Sequence, residues 1–248
     1  LSAFGAPPFR AVQILDWLYK KHAVDFSEMK NLPSGLRAAL AQRAKVQALT
    51  RLEVPVSQNR ESLKYLMQTE DGHVLESVLI VQGGRRTICL STQLGCRIRC
   101  SFCASGKGKF GRNLTAGEIV EQVSVISRYQ NTSSPLVGED RGGGVSQTPH
   151  PNLPPQGGKE IQRIEKPVTN VVFMGMGEPL DNYEATMKAI EILTADWGFG
   201  LGGRRITVST SGITPMIERF VNDSRGRVRL SVSLHSSDQE TRSRLVPI

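Results

Sequence analysis

The 248-residue chain has no run of about 18 uncharged apolar residues, the minimum for a membrane span. It also lacks a basic, apolar leader ending in small residues, so no secretory signal is read, no membrane association is expected, and the cytoplasm is the expected compartment. An initiating methionine is missing too. The chain opens on Leu1 and stops in RSRLVPI with neither a helix end nor a polar tail, so it reads as a piece of something longer. Acidic residues are the minority, 23 against 31 Lys and Arg, and the net charge of +8 with a pI near 9.6 suits a polyanionic partner such as RNA. That signal is weak alone, because the basic residues stand singly or in small groups such as Arg225, Arg227 and Arg229, and most such groups are solvated faces. What is present is a 39% hydrophobic content, enough for the core of one large domain and a small one.

In PPFRAVQILDWLYKKHA, Phe9, Val12, Leu15, Leu18 and Tyr19 recur at helical spacing after prolines suited to a helix start. Asp25 with Glu28 resembles a capping box, and SGLRAALAQRAK sets Leu36, Leu40 and Ala44 on one face behind a Ser34 cap. Asp71-Gly72, between two strand-like runs, signals a β-hairpin. These features form a small α+β accessory domain at residues 1–82. From Arg86 onward, strand-length apolar runs alternate with amphipathic helices: RTICLST, TNVVFMGM, RITVSTS and RVRLSVSLH give four strands with three helices between them. The fold class is α/β, with parallel strands whose carboxyl ends gather the loops and the functional residues. Residues 83–248 make this second domain. The stretch 133–160, dense in Gly and Pro, reads as a disordered insertion, and its GGG triplet lacks the flanking strand and helix of a phosphate loop.

All four cysteines fall within fifteen residues, at Cys89, Cys96, Cys100 and Cys103. In a reducing compartment such clustering favours metal over disulfides. A structural zinc site usually pairs two separated C-x2-4-C units, and the second is missing. The spacing C-x3-C-x2-C instead delivers three thiolates from one loop, enough for three irons of a [4Fe-4S] cluster with the fourth left open. A zinc loop remains the alternative. With Phe102 before its last cysteine, the loop resembles the signature of the radical S-adenosylmethionine (SAM) superfamily. That resemblance implies that the amino and carboxylate groups of SAM chelate the open iron. An electron from the cluster then cleaves a carbon–sulfur bond to give a 5′-deoxyadenosyl radical.

GMGEP ends a strand and precedes a helix, with Gly175 and Gly177 allowing close backbone approach and Glu178 at the strand's carboxyl end. Alone it would read as a glycine-rich turn with a helix-start acid. Ser209 in TVSTSG and Ser233, Leu234 and His235 in SVSLH end the next two strands on the same rim. Together TICLSTQLGCRIRCSFCASGKGKFGRNLTAGEIVEQV, PVTNVVFMGMGEPLDNY, GFGLGGRRITVSTSGI and LSVSLHSSDQETRSRLVPI resemble the RlmN/Cfr family of radical SAM RNA adenine methyltransferases, and PPFRAVQILDWLYKK is similar to its amino-terminal RNA-binding domain.

The resemblance implies a partial (β/α) radical SAM barrel holding Cys96, Cys100 and Cys103 on a [4Fe-4S] cluster, with SAM contacted by Gly177, Glu178, Ser209, Ser233, Leu234 and His235. It implies methylation of C2 of an adenine in 23S rRNA and in tRNA, the RlmN branch being preferred over C8 methylation. Two SAM are used per turnover, with an electron donor that the sequence does not identify, and a monomer is expected. A radical suits this chemistry, because adenine C2 is an electron-poor carbon without an acidic proton. In the family one SAM methylates a cysteine near the carboxyl terminus, and that methyl, made a radical, adds to the base. A carboxylate then removes the C2 proton, and a second cysteine resolves the adduct through a disulfide. Alternation in HVLESVLI puts Glu76 on the face of Val74, Val78 and Ile80, an apolar row in which desolvation would raise its pKa, and it matches the proton acceptor. Cys89 lies in the first strand and matches the resolving cysteine. The methyl-carrying cysteine has no counterpart among the four, so the chain reads as a truncated or split methyltransferase. A different radical SAM enzyme, or a non-catalytic RNA- or zinc-binding fragment, stays open as an alternative.

Overall fold

The computed structural model describes residues 1–52, 61–132 and 168–248. The insertion expected at 133–160 lies outside these residues. The chain begins with two helices, α1 (Phe9–Tyr19) and α2 (Ser34–Ala41). Between them a short 3-10 turn, Phe26–Glu28, is capped as expected at Asp25. The Asp25 carboxylate accepts from the Ser27 amide at 2.7 Å, and Glu28 reaches back to the Val24 amide at 3.0 Å. Pro33, not Ser34, occupies the N-cap position of α2. These helices enclose their own small core of Ala23, Phe26, Met29, Leu32 and Leu40.

Among the described residues seven strands form one sheet in chain order. They are β1 (Leu49–Arg51), β2 (Ser62–Thr69), β3 (Val74–Gln82), β4 (Arg85–Cys89), β5 (Asn170–Phe173), β6 (Ile206–Thr210) and β7 (Arg229–Val232). β1 to β4 are antiparallel and β4 to β7 parallel. The hairpin sits where Asp71-Gly72 places it, with Gly72 at φ 81°, a conformation glycine adopts without a Cβ clash. Because β3 pairs directly with β4, the sheet runs straight through residue 82. The hairpin therefore belongs to the same sheet as the parallel strands, and the unit with a separate core is the helical one, not residues 1–82.

Helices α4 (Ala116–Thr132), α5 (Tyr183–Thr194) and α6 (Thr214–Ser224) make the three crossovers. They cover one face of the sheet, where Leu75, Leu79, Ile88, Val171, Phe173, Ile206 and Val208 meet Ile119, Val123, Ile126, Leu193 and Phe220 in a single buried cluster. Each such side chain contributes about 1.5–3 kcal/mol by leaving water. The opposite face is open and largely polar. Strand register places Glu76, Val78, Cys89, Val172, Thr207, Ser209 and Ser231 on that side. No helix among the described residues is long and apolar enough to cross a membrane.

Glu121 of α4 fastens β1 to the helical layer: its Oε2 accepts from the amides of Ala48 at 2.7 Å and Leu49 at 3.2 Å. Burial pushes its carboxyl up from 4.5 to about 7. An acid with a raised folded pKa binds protons more readily when folded, so its stabilising share is full below about pH 4.5 and lost as pH rises through about 7. His22, held down to about 4 chiefly by burial, acts over an overlapping window with the opposite sign, losing stability as pH falls. The expected result is that Glu121→Gln removes a fall in thermal stability of up to about 3 kcal/mol between pH 5 and 8 and leaves the opposite contribution of His22 uncompensated, measured against the unsubstituted chain.

Candidate active site

At the carboxyl ends of the parallel strands lies a cavity of about 300 Å3. The loop after β4 supplies one wall. Cys96, Cys100 and Cys103 all line the cavity, brought round by a chain that folds back tightly, with Arg99 in the left-handed region at φ 59°. The Cys103 amide donates to the Cys100 carbonyl at 3.0 Å, and the short helix α3 (Ala104–Lys107) begins immediately after. Burial raises the Cys96 thiol, against amide donation from Ile98 and Arg99. It also raises Cys100, and the neighbouring thiols and Glu178 push in the same direction. Among the described residues no three His, Cys, Asp or Glu side chains are gathered to hold one metal ion.

The facing wall comes from the loop after β5. Gly175 lies so close to β4 that a Cβ there would sit 2.7 Å from the Leu90 carbonyl carbon and oxygen and from Ser91 Oγ. At Gly177, φ 101°, a Cβ would meet Gln93 at 2.6 Å. These contacts are with backbone and a buried side chain, which cannot swing away. Gly175→Ala is therefore expected to destabilise the fold by at least about 2–3 kcal/mol in urea denaturation. The same packing fixes Glu178, which is only 4% exposed. Its amide donates to Gln93 Oε1 at 2.9 Å, its Oε1 accepts from the Leu180 amide at 3.1 Å, and its Oε2 accepts from the Ser211 amide at 2.7 Å. Each oxygen keeps a lone pair, and Glu178 lines the cavity.

Ser209, Ser211, Ser233 and His235 complete the rim. His235 has φ 61°, and its ring lies 4.3 Å from that of Phe102, joining the loops after β4 and β7 across the cavity mouth. Of the sequence candidates, Cys96, Cys100, Cys103, Gly177, Glu178, Ser209, Ser233 and His235 meet at this one cavity. Leu234 does not: its side chain is 57% exposed and lies outside the lining. Three buried contributors went unread. Gln93 holds Glu178 and Asp181, Asn182 clamps the carbonyls of Thr92 and Leu114, and Ser211 Oγ is buried beside the cavity with no partner among the described residues. Nothing in the spacing of STQLG or TSG marks them, since their partners lie far along the chain.

Cys89 and Glu76 sit apart from this cavity on the open face of the sheet. Cys89 ends β4, and burial pushes its thiol up to about 11 against amide donation from Met174. Its alkylation by iodoacetamide should therefore be slow at pH 7 and should accelerate about tenfold per pH unit up to about 11. Glu76 is not desolvated as expected. The row of Val74, Val78 and Ile80 is the open face, with Val74 46% and Ile80 41% exposed, while Leu75, Ser77 and Leu79 point into the core. The Glu76 carboxylate pairs with Lys64 at 3.1 Å, and both side chains are roughly half exposed.

Comparison with known proteins places this geometry. The model of the ribosomal RNA large subunit methyltransferase N-terminal domain matches residues 1–46, which is the helical unit, and the radical SAM superfamily model matches residues 145–247. A dual-specificity RNA methyltransferase RlmN of Nautilia profundicola is 38% identical, with 100% of this chain and 64% of the relative covered. A probable dual-specificity RNA methyltransferase RlmN of Lysinibacillus sphaericus is 39% identical, covering 100% and 57%. The chain is similar to these RlmN proteins along its whole length. A crystal structure of a radical SAM methyltransferase from Sphaerobacter thermophilus superposes with a TM-score of 0.82 at 40% identity, covering 100% of this chain and 63% of that one. The chain thus spans about 60% of the length of the relatives it matches. The radical SAM model match begins beyond the cysteine loop, so that loop's assignment rests on its own spacing and on the cavity it lines.

Proposed function

We propose that the chain is the cluster- and SAM-binding part of a radical SAM methyltransferase acting on C2 of an adenine in 23S rRNA and tRNA. The observation that carries this reading is the convergence of three cysteines, Glu178, Ser209, Ser211, Ser233 and His235 on one cavity at the carboxyl ends of parallel strands. Cys96, Cys100 and Cys103 would hold a [4Fe-4S] cluster, and their place together on one cavity wall, with the unpartnered Ser211 Oγ beside it, fits such an occupant with SAM next to it. The cluster supplies one-electron chemistry that breaks a carbon–sulfur bond of SAM.

The protein's own groups do the positioning. Glu178, pinned by two backbone amides, offers its remaining lone pairs to the SAM ammonium. Ser209 and Ser233 would offer hydroxyls to SAM from the cavity wall, and the Phe102–His235 pair joins the loops after β4 and β7 beside them. Cys89, a protonated thiol at neutral pH, is kept unreactive until a partner thiol or adduct reaches it, which suits a resolving role. Glu76 takes the proton-acceptor role from an exposed position beside Lys64. With all four cysteines assigned, the methyl-carrying thiol of the relay is not among these 248 residues.

The test is anaerobic reconstitution with iron and sulfide followed by reduction in the presence of SAM. Formation of 5′-deoxyadenosine and methionine supports the reading. Stoichiometric zinc with no SAM cleavage contradicts it.

A further inference from the structure

A second cavity, about 350 Å3, lies at the other end of the parallel strands, between α1 and the sheet. Val168 and Thr169 lead into β5 there, and Arg205 leads into β6. The four residues of β5 separate it from the cysteine cavity by roughly 13 Å of strand. None of the residues assigned to the cluster or to SAM lines it.

Its composition is specific. Tyr19, His22 and Phe199 form an aromatic wall, with Phe199 5.5 Å from Tyr19 and stacked at 5.8 Å and 28° on His22. Lys20 and Arg205 stand exposed at the edge, and Asp196 supplies a carboxylate. His22 is the telling residue. It is 8% exposed, its backbone is held in the left-handed region at φ 55°, and its Nδ1 is buried with no hydrogen-bond partner among the described residues. A non-glycine residue in that region is strained, and an unpaired buried polar atom is unfavourable. Two unfavourable features at one residue on a cavity wall are accounted for by a ligand that supplies the missing hydrogen bond.

We propose that this cavity binds a single nucleotide, with the base against Tyr19, its edge bonded to His22, and the phosphate between Lys20 and Arg205. Aromatic faces recognise every base by stacking, and exposed cations take phosphate. Asp196 can accept from a ribose hydroxyl or an exocyclic amine, groups that inorganic phosphate lacks. Burial with the nearby Arg128 keeps the imidazole neutral at pH 7, which suits a base edge. The volume falls in the range of roughly 300–1,000 Å3 typical of small-ligand sites. The same chemistry has two sources, a free mononucleotide or an unpaired nucleotide of an RNA chain. The inference stands apart from the cluster assignment, because the cavity contains no cluster residue.

Isothermal titration calorimetry on the chain tests it, using AMP, inorganic phosphate and a single-stranded RNA octamer as probes. The same titrations on Cys96→Ala separate this site from the cluster. The expected result is saturable binding of AMP or the octamer that Arg205→Ala and His22→Asn each weaken at least tenfold. Asn is chosen because it tolerates the left-handed backbone, and circular dichroism confirms that each variant is folded. Displacement of the octamer by AMP assigns the site to a nucleotide of an RNA chain, and AMP binding without displacement assigns it to a free nucleotide. The proposal is overturned if phosphate binds as tightly as AMP, or if neither nucleotide probe loses tenfold in the folded variants.

Discussion

Cys96→Ala is expected to abolish the iron–sulfur cluster, while Cys89→Ala leaves iron and sulfide content unchanged. The four thiols fall within fifteen residues, yet the fold divides them. Cys96, Cys100 and Cys103 belong to the loop that lines the cavity, whereas Cys89 is the last residue of β4, on the open face in register with Val78 and Val172. A strand residue fixed by ladder hydrogen bonds on both sides cannot swing into the loop to replace a lost ligand. With one thiolate gone, only two remain for the cube, and burial raises the remaining Cys100 thiol, which disfavours the thiolate that iron needs. Iron and sulfide analysis with the visible charge-transfer absorption reads the result. Loss of the cluster in Cys89→Ala would overturn this division.

Glu178→Ala is expected to weaken SAM binding at least about 100-fold, near 3 kcal/mol, the range of a lost charge-assisted hydrogen bond. It also strands the amides of Leu180 and Ser211 in a buried site, lowering fold stability by about 1–3 kcal/mol per amide. Glu178→Gln is not conservative here. Both carboxylate oxygens accept from backbone N–H groups, so an amide must turn its NH2 against one donor. Equilibrium SAM binding by the reconstituted protein measures the first effect, and cluster absorbance shows whether the thiolate loop is intact. Unchanged affinity in both variants would remove Glu178 from the SAM site.

Much of this was legible where one local rule sufficed. Asp71-Gly72 set the hairpin, the alternation of apolar runs and amphipathic helices set the parallel strands, and C-x3-C-x2-C picked out a loop whose three cysteines line one cavity. The face of β3 was not legible, because Leu75 and Leu79 are as apolar as Val74, Val78 and Ile80. A period of two then cannot choose which side meets the helices, and Glu76 was placed in a buried row when it faces solvent and Lys64. The boundary at residue 82 failed for a related reason: a hairpin reads as a closed unit, and its pairing with β4 depends on an edge that local sequence does not advertise. Leu234 was carried along with its neighbours in SVSLH, although alternation past the end of β7 turns its side chain outward. Gln93, Asn182 and Ser211 act through partners up to 90 residues away, which spacing cannot reveal.

The central claim is that the cysteine cavity holds a cluster with one iron open to SAM. Electron paramagnetic resonance of the anaerobically reconstituted, dithionite-reduced chain tests it most directly. The account predicts a [4Fe-4S]+ signal whose g values shift when SAM is added and do not shift in Glu178→Ala. A chain that takes up no iron, or whose signal is indifferent to SAM, would contradict it.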